Sequence, residues 1–245
     1  MAINVHEIFS SVQGEGLFSG CRHLFLRLSG CNLRCMYCDT RVSFYPPAKA
    51  SVSYPGSSDP EMVANPFTKE KLFQILAAMK PERHHSLSIT GGEPLMQPMA
   101  VMEAAEHWQD NGGRVLLETN GTLLDAFRKV SHAIDIVSMD IKLPPAVSAT
   151  VWRTQQEFLA TAAEACSSVY VKMVITPEVT LGLLKDIANM VAAVDCSIPV
   201  ILQPVTSENG DIYWHEMLDY YQWELADMLT EVRILPQLHK LMGVR

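Results

Sequence analysis

Short apolar runs alternate with segments of helical period along most of the chain, and this alternation limits the fold more than any other feature. The runs lie at 23–29, 86–90, 114–119, 134–142, 168–175 and 199–205; the helix-period segments lie at 69–80, 97–111, 121–130, 155–166, 180–194 and 216–230. Strand and helix in regular succession predict βα units and a parallel sheet, because parallel neighbours need a long crossover that a helix supplies. Six units give an α/β fold of the partial (βα)6 barrel kind. The turns GGEP, NGT, LPP and TPE follow several of the strands. Residues 41–66 are rich in Pro, Ser and Gly without a clean period, and read as a long loop inserted after the first strand, with room for a short helix. With 245 residues and no repeat, heptad run or linker, the chain is expected to form one domain over 1–245.

Strand parity adds a second message. Leu24, Leu26 and Leu28 share one face of their run, so Arg27 falls on the other with Phe25 and Ser29. If the leucines face the helices, Arg27 points into the barrel. Ser138, Asp140 and Lys142 share a face, Lys172 lies opposite Val171 and Met173, and Gln203 falls late on its strand. Buried charge is costly unless paired, so these groups predict a lumen that holds a polar ligand at the strand ends. Their pairing with one another in a wet barrel mouth is the alternative.

A net charge of −8 argues against nucleic acid or an anionic membrane as partner. No N-terminal run has the form of a signal peptide, and no apolar stretch approaches the length of a membrane span. A cytoplasmic protein acting on a small molecule is expected. In that compartment six cysteines are thiols rather than disulfides. Cys21, Cys166 and Cys196 stand alone and read as small buried residues. Cys31, Cys35 and Cys38 form C-x3-C-x2-C within CNLRCMYCDT. A structural zinc ordinarily takes a fourth ligand; His84 and His85 have the right type, but adjacent side chains on an extended run point apart. An iron-sulfur cluster held by three thiolates keeps one iron open.

This spacing, with Tyr37 before the last cysteine, resembles the motif of the radical S-adenosylmethionine superfamily. GGEP at 91–94, after the second strand run, strengthens the resemblance. The superfamily implies a 4Fe-4S cluster on Cys31, Cys35 and Cys38, with S-adenosylmethionine on the open iron and cleaved to a 5'-deoxyadenosyl radical. Upstream, the ordered series S-x-Q-G-E-G, F-x-R-L-x-G-C and C-D-T resembles the 7-carboxy-7-deazaguanine synthase family, and the match recurs at SITGGEP, LETNGT, LQPVT and LHKLMGVR.

That resemblance implies a carbon-nitrogen lyase. It converts 6-carboxy-5,6,7,8-tetrahydropterin to 7-carboxy-7-deazaguanine on the way to queuosine and other 7-deazapurines. Hydrogen abstraction at C6 is followed by ring contraction and ammonia loss, magnesium assists the ring contraction, and the S-adenosylmethionine is regenerated. By matching position, it implies pterin contacts from Val12, Gln13, Gly14, Arg27, Thr90, His239 and Arg245. For Arg27 the partner is a substrate carboxylate. For S-adenosylmethionine it implies Tyr37, Cys38, Asp39, Gly92, Ser138, Met139, Asp140, Gln203, Pro204, Val205 and Thr206. Thr40 becomes a magnesium ligand, a role compatible with Asp39 and Thr40 capping a following helix. A homodimer and a reducing partner such as flavodoxin complete the implied picture. One departure is that Ser138-Met139-Asp140, with Lys142 two places on, stands where family members often carry Ser-Pro-Lys, which puts a lysine contact to the cofactor in question. A glycyl-radical activating enzyme shares the cysteine spacing, but SVQGEG at 11–16 distinguishes the pterin-binding family from it.

Overall fold

The structure, a computed structural model, describes residues 2–143, 149–207, 211–213 and 216–244. All six expected strands are present. In chain order the elements begin with β1 (Val5–Val12), β2 (Arg22–Leu28), β3 (Lys49–Ser53) and β4 (Glu61–Ala64), then α1 (Lys69–Ala78), β5 (Ser86–Gly91), α2 (Pro98–Asp110) and β6 (Val115–Thr119). They continue with α3 (Leu124–Val130), β7 (Ile136–Asp140), α4 (Ala149–Ala165), β8 (Ser168–Ile175), α5 (Leu181–Asp195), β9 (Val200–Pro204), α6 (Leu218–Leu225), β10 (Val232–Ile234) and α7 (Leu238–Leu241). The sheet runs β10-β9-β8-β7-β6-β5-β2-β1-β3-β4 and stays open at both ends. From β2 through β5 to β10 every neighbour is parallel.

Threonines start two of the helices. Thr68 and Thr180 accept from the backbone N–H of Lys71 and Leu183, relieving unpaired donors in the first turns of α1 and α5. Successive helices pack side by side, α1 on α2 and onward to α5 on α6, and cover one face of the sheet. Leu24, Leu26 and Leu28 point into that apolar layer and are fully buried, each burial stabilising by about 1.5–3 kcal/mol. Phe25 and Arg27 therefore face the other way, as parity predicts. No helix among the described residues is long and apolar enough to cross a membrane.

Two expectations change. The strand carrying Arg27 is the second, because HEIFSSV forms β1, antiparallel to it, with Phe9 stacked on Phe25 at 4.9 Å between ring centroids. The 41–66 segment is more than a loop: after a 3-10 turn at Arg41–Phe44 it supplies β3 and β4. Asn65 holds it, accepting from Val5 N–H at 3.2 Å and donating to the Val5 and Pro47 carbonyls at 2.7 and 3.0 Å. The sheet edge is built by such pairing and by burial of Ala50, Val52 and Val63 rather than by an apolar run.

On the concave face, Leu17 and Phe18 tuck against Leu116, Ile136, Tyr170 and Ile201. Gly16, at φ 71°, brings the chain so close that a Cβ there would collide with the Tyr170 ring. This small apolar cluster floors a large polar space above it.

Candidate active site

A cavity of about 1140 Å³ opens at the carboxyl ends of the parallel strands, the place where βα loops build sites in such sheets. The three cysteine thiols line it, together with Tyr37, Asp39 and Thr40 from the same loop. Burial pushes the Cys31 and Cys35 thiols above their ordinary range, and neighbouring thiols and carboxylates add to it. Thiols so placed ionise readily only against a cation, which is what an iron-sulfur core provides.

Among the described residues, no three His, Cys, Asp or Glu side chains converge on a single metal-ion position. The histidines considered for zinc lie at the amino ends of the strands. His84 Nε2 bonds Ser10 Oγ at 2.8 Å, and His85 stacks on His23 at 5.2 Å. Three thiols on one loop around an open space fit a body larger than one ion, so the residues present suit the cluster.

GGEP lies against the start of the cysteine loop. Glu93 N–H donates to the Gly30 carbonyl at 2.8 Å, and a Cβ on Gly92 would overlap that carbonyl and come within 2.7 Å of Cys31 Cβ. The Glu93 side chain is sealed inside and accepts from Leu95 N–H, Thr119 Oγ1 and Asn120 N–H at 2.8–3.0 Å. Burial raises its carboxyl to about 7 despite those three donors. It joins the turn after β5 to the turn after β6, a role the sequence did not announce.

Across the cavity, two expected pterin residues converge on one the sequence reading missed. Gln13 Nε2 donates to Glu118 Oε1, and Thr90 Oγ1 donates to Glu118 Oε2, each at 2.9 Å. Strand parity held the signal for Glu118, which shares the inward face of β6 with Leu116. Val12 and Gly14 also line the space, and His239 sits where a Gly14 side chain would have to go. Arg27 faces the cavity, but its partner is Glu7, with Nε to Oε1 at 2.8 Å. A partner within the chain is thus already present: β1, unseen as a strand, brings Glu7 opposite Arg27 in register. Arg245 lies outside the described residues, as does most of the LPP turn.

The expected cofactor wall is mostly brought together. Ser138, Asp140, Gln203, Val205, Thr206 and Gly92 line the cavity with the cysteine loop. Met139 and Pro204 do not line it; Met139 is fully buried in the apolar layer and packs on Gly121. Strand alternation is the reason, since a residue between two inward side chains must point outward. Buried Asp140 Oδ1, Gln203 Oε1 and Thr206 Oγ1 have no hydrogen-bond partner among the described residues. Polar atoms so placed cost free energy until a ligand meets them.

Two lysines stand near the position of the departed Ser-Pro-Lys motif. Lys142 Nζ reaches Asp140 Oδ2 at 2.8 Å and lies 5.6 Å from the centre of the Tyr37 ring. Lys172 pairs with Glu15 and stands 3.5 Å from Asp140 Oδ2. Burial alone would raise the Asp140 carboxyl, yet the two ammonium groups hold it below its ordinary value. The inward charges therefore do pair with one another, and they do so around a cavity with unmet polar atoms. Neither Asp39 nor Thr40 caps the following turn. The Asp39 carboxylate turns to Gln237, while Thr40 makes no side-chain cap and its hydroxyl has Cys38 Sγ at 3.8 Å.

Comparison with known proteins agrees with this geometry. The Radical SAM superfamily model matches residues 26–191. A 7-carboxy-7-deazaguanine synthase of Geobacter sulfurreducens is 35% identical over 98% of this chain and 96% of its own length. A 7-carboxy-7-deazaguanine synthase of Methanopyrus kandleri is also 35% identical, over 98% of this chain and 93% of its own. Among solved structures, QueE from Escherichia coli superposes with a TM-score of 0.62 at 19% identity, covering 97% of this chain and 95% of that one. That likeness speaks to the fold.

Proposed function

The chain belongs to the radical SAM superfamily and within it to the 7-carboxy-7-deazaguanine synthases, and on that premise we propose that it converts 6-carboxy-5,6,7,8-tetrahydropterin to 7-carboxy-7-deazaguanine. The observation that carries the substrate is the convergence of Gln13 and Thr90 on Glu118 across one cavity from three thiols. A pterin presents a 2-amino group beside a ring N–H, two parallel donors that a carboxylate accepts in a fork. Glu118 is the carboxylate in place, and Gln13 and Thr90 aim it.

A 4Fe-4S cluster on Cys31, Cys35 and Cys38, with S-adenosylmethionine, would supply the radical that removes hydrogen from C6, ring contraction and loss of ammonia following. The chain's own residues bind and orient. Phe9 and Phe25 offer an apolar wall to a flat ring. Arg27, kept in place through Nε by Glu7, has its terminal nitrogens left for the substrate carboxylate. Unpaired Gln203 and Thr206, with Asp140, fit the polar parts of S-adenosylmethionine. Thr40 offers one hard oxygen to magnesium, whose shell substrate oxygens and water would complete. We read residues 1–245 as one radical SAM unit acting in the cytoplasm as a homodimer, with an external one-electron donor such as flavodoxin.

The reading is tested by anaerobic reconstitution with iron and sulfide, followed by reductant, S-adenosylmethionine, magnesium and the carboxy-tetrahydropterin. The deazaguanine acid is expected. A cluster with no such product contradicts the substrate, and tight zinc in place of the cluster contradicts the chemistry.

A further inference from the structure

Gln237 lies between the cysteine loop and the QGEG loop, and every polar atom of its side chain is used. Its Nε2 donates to Glu15 Oε1 at 2.6 Å and to Asp39 Oδ2 at 2.9 Å, while its Oε1 accepts from Lys240 Nζ at 2.6 Å. Lys240 Nζ also stands 3.2 Å from Asp39 Oδ2. The amide is buried, at 7% exposure, and hydrogen bonds from a buried amide to carboxylates are among the stronger neutral-to-charged bonds.

Asp39 is the residue directly after Cys38, and Glu15 follows Gly14 directly. One side chain thus joins the loop bearing the thiols to the loop bearing the proposed pterin contacts. The backbone repeats the link: Leu238 N–H donates to the Gly14 carbonyl at 2.9 Å, and His239 fills the space beside Gly14. Glutamine is the residue such a position needs. A glutamate there would set three carboxylates together, and an apolar side chain would leave two carboxylates without a donor.

We propose that Gln237 is a positioning residue, a clasp that holds segment 237–244 over the substrate site only while Asp39 is in place, so that ordering of the cysteine loop completes the pterin wall. The inference rests on the proposed function for its meaning, but its contacts do not. Cluster assembly fixes Cys38, hence Asp39, hence Gln237, and His239 then closes against Gly14. Local opening of a segment held by few buried contacts is the motion this controls.

Hydrogen-deuterium exchange on the anaerobically reconstituted protein, with no pterin present, tests it. Gln237→Glu is nearly isosteric. It is expected to speed exchange by at least about tenfold at the Leu238 and Met242 amides and in residues 12–16, the effect of losing both amide-to-carboxylate hydrogen bonds, with β5–β8 unchanged. Lys240→Met loosens the same clasp from a partly exposed position and should give a smaller rise in the same peptides. Removing iron from the wild-type protein with a chelator should raise exchange in 237–244 as well. Unchanged exchange there in both variants overturns the clasp, and unchanged exchange after iron removal overturns its coupling to the cysteine loop. Since no pterin is used, a wild-type protein that fails to make the deazaguanine acid contradicts the substrate assignment and leaves this result standing.

Discussion

At the scale of residues, the site is a set of charges that solve one another's burial. Glu15 shows it best. Burial would raise its carboxyl, but Lys172 and Gln237 bring it to about 2, against 4.5 for an ordinary glutamate. As pH falls, the unfolded chain therefore takes up this proton first. The stabilisation is complete above about 4.5 and is lost as pH falls through 4.5 towards 2. Glu15→Gln is expected to lower stability at neutral pH by about 3 kcal/mol and to flatten the acid limb of the denaturation profile. Urea unfolding at several pH values measures both. Glu118→Gln keeps the shape but turns one fork oxygen into a donor, so kcat/KM for the pterin should fall roughly 10- to 100-fold with iron content unchanged. Gln13, Arg27 and Thr90 were legible because they stand in recognisable motifs. Glu7 and Gln237 were not singled out, because a lone polar residue on a strand or near a chain end reads as solvent-facing until its partner is known. Glu15 and Glu118 stand inside the motifs SVQGEG and LETNGT, but received no role there because their partners lie on distant segments.

At the scale of elements, what was legible follows from how each strand is stabilised. The six strands β2 and β5 through β9 each set an apolar face against the helix layer, and such runs announce themselves. β1 mixes polar Glu7 and Ser10 with Ile8, while β3, β4 and β10 are short pieces held by pairing, with Asn65 tying β1 to the segment before β3. Their stabilisation comes from neighbours, which no local period can reveal. Met139 and Pro204 were carried over as a run, and the pleat divides a run between two faces. The turn after β5 gives the prediction at this scale. Gly92→Ala places a methyl group into the Gly30 carbonyl and must push the cysteine loop aside. Reconstituted protein should show reduced iron per chain and weaker S-adenosylmethionine binding, measured by iron assay and calorimetry. Gly14→Ala, by contrast, displaces His239 alone and should raise KM for the pterin while leaving iron content intact.

At the scale of the molecule, the open sheet divides the labour. The helix layer carries the apolar core, β1 and the β3–β4 pair extend the sheet past β2, and Leu17 and Phe18 close the floor. The carboxyl ends are thereby left free to assemble thiols, a glycine turn and a carboxylate fork around one space. Cys35→Ala should abolish the cluster spectrum without unfolding the chain, because the core lies on the other face of the sheet. The central claim is that this space holds the pterin with C6 presented to the radical. Its most direct test is turnover of the substrate deuterated at C6, followed by mass spectrometry of the recovered S-adenosylmethionine. The account predicts deuterium in that S-adenosylmethionine and formation of 7-carboxy-7-deazaguanine. Cleavage of S-adenosylmethionine with no deuterium transferred and no deazaguanine acid formed would contradict it.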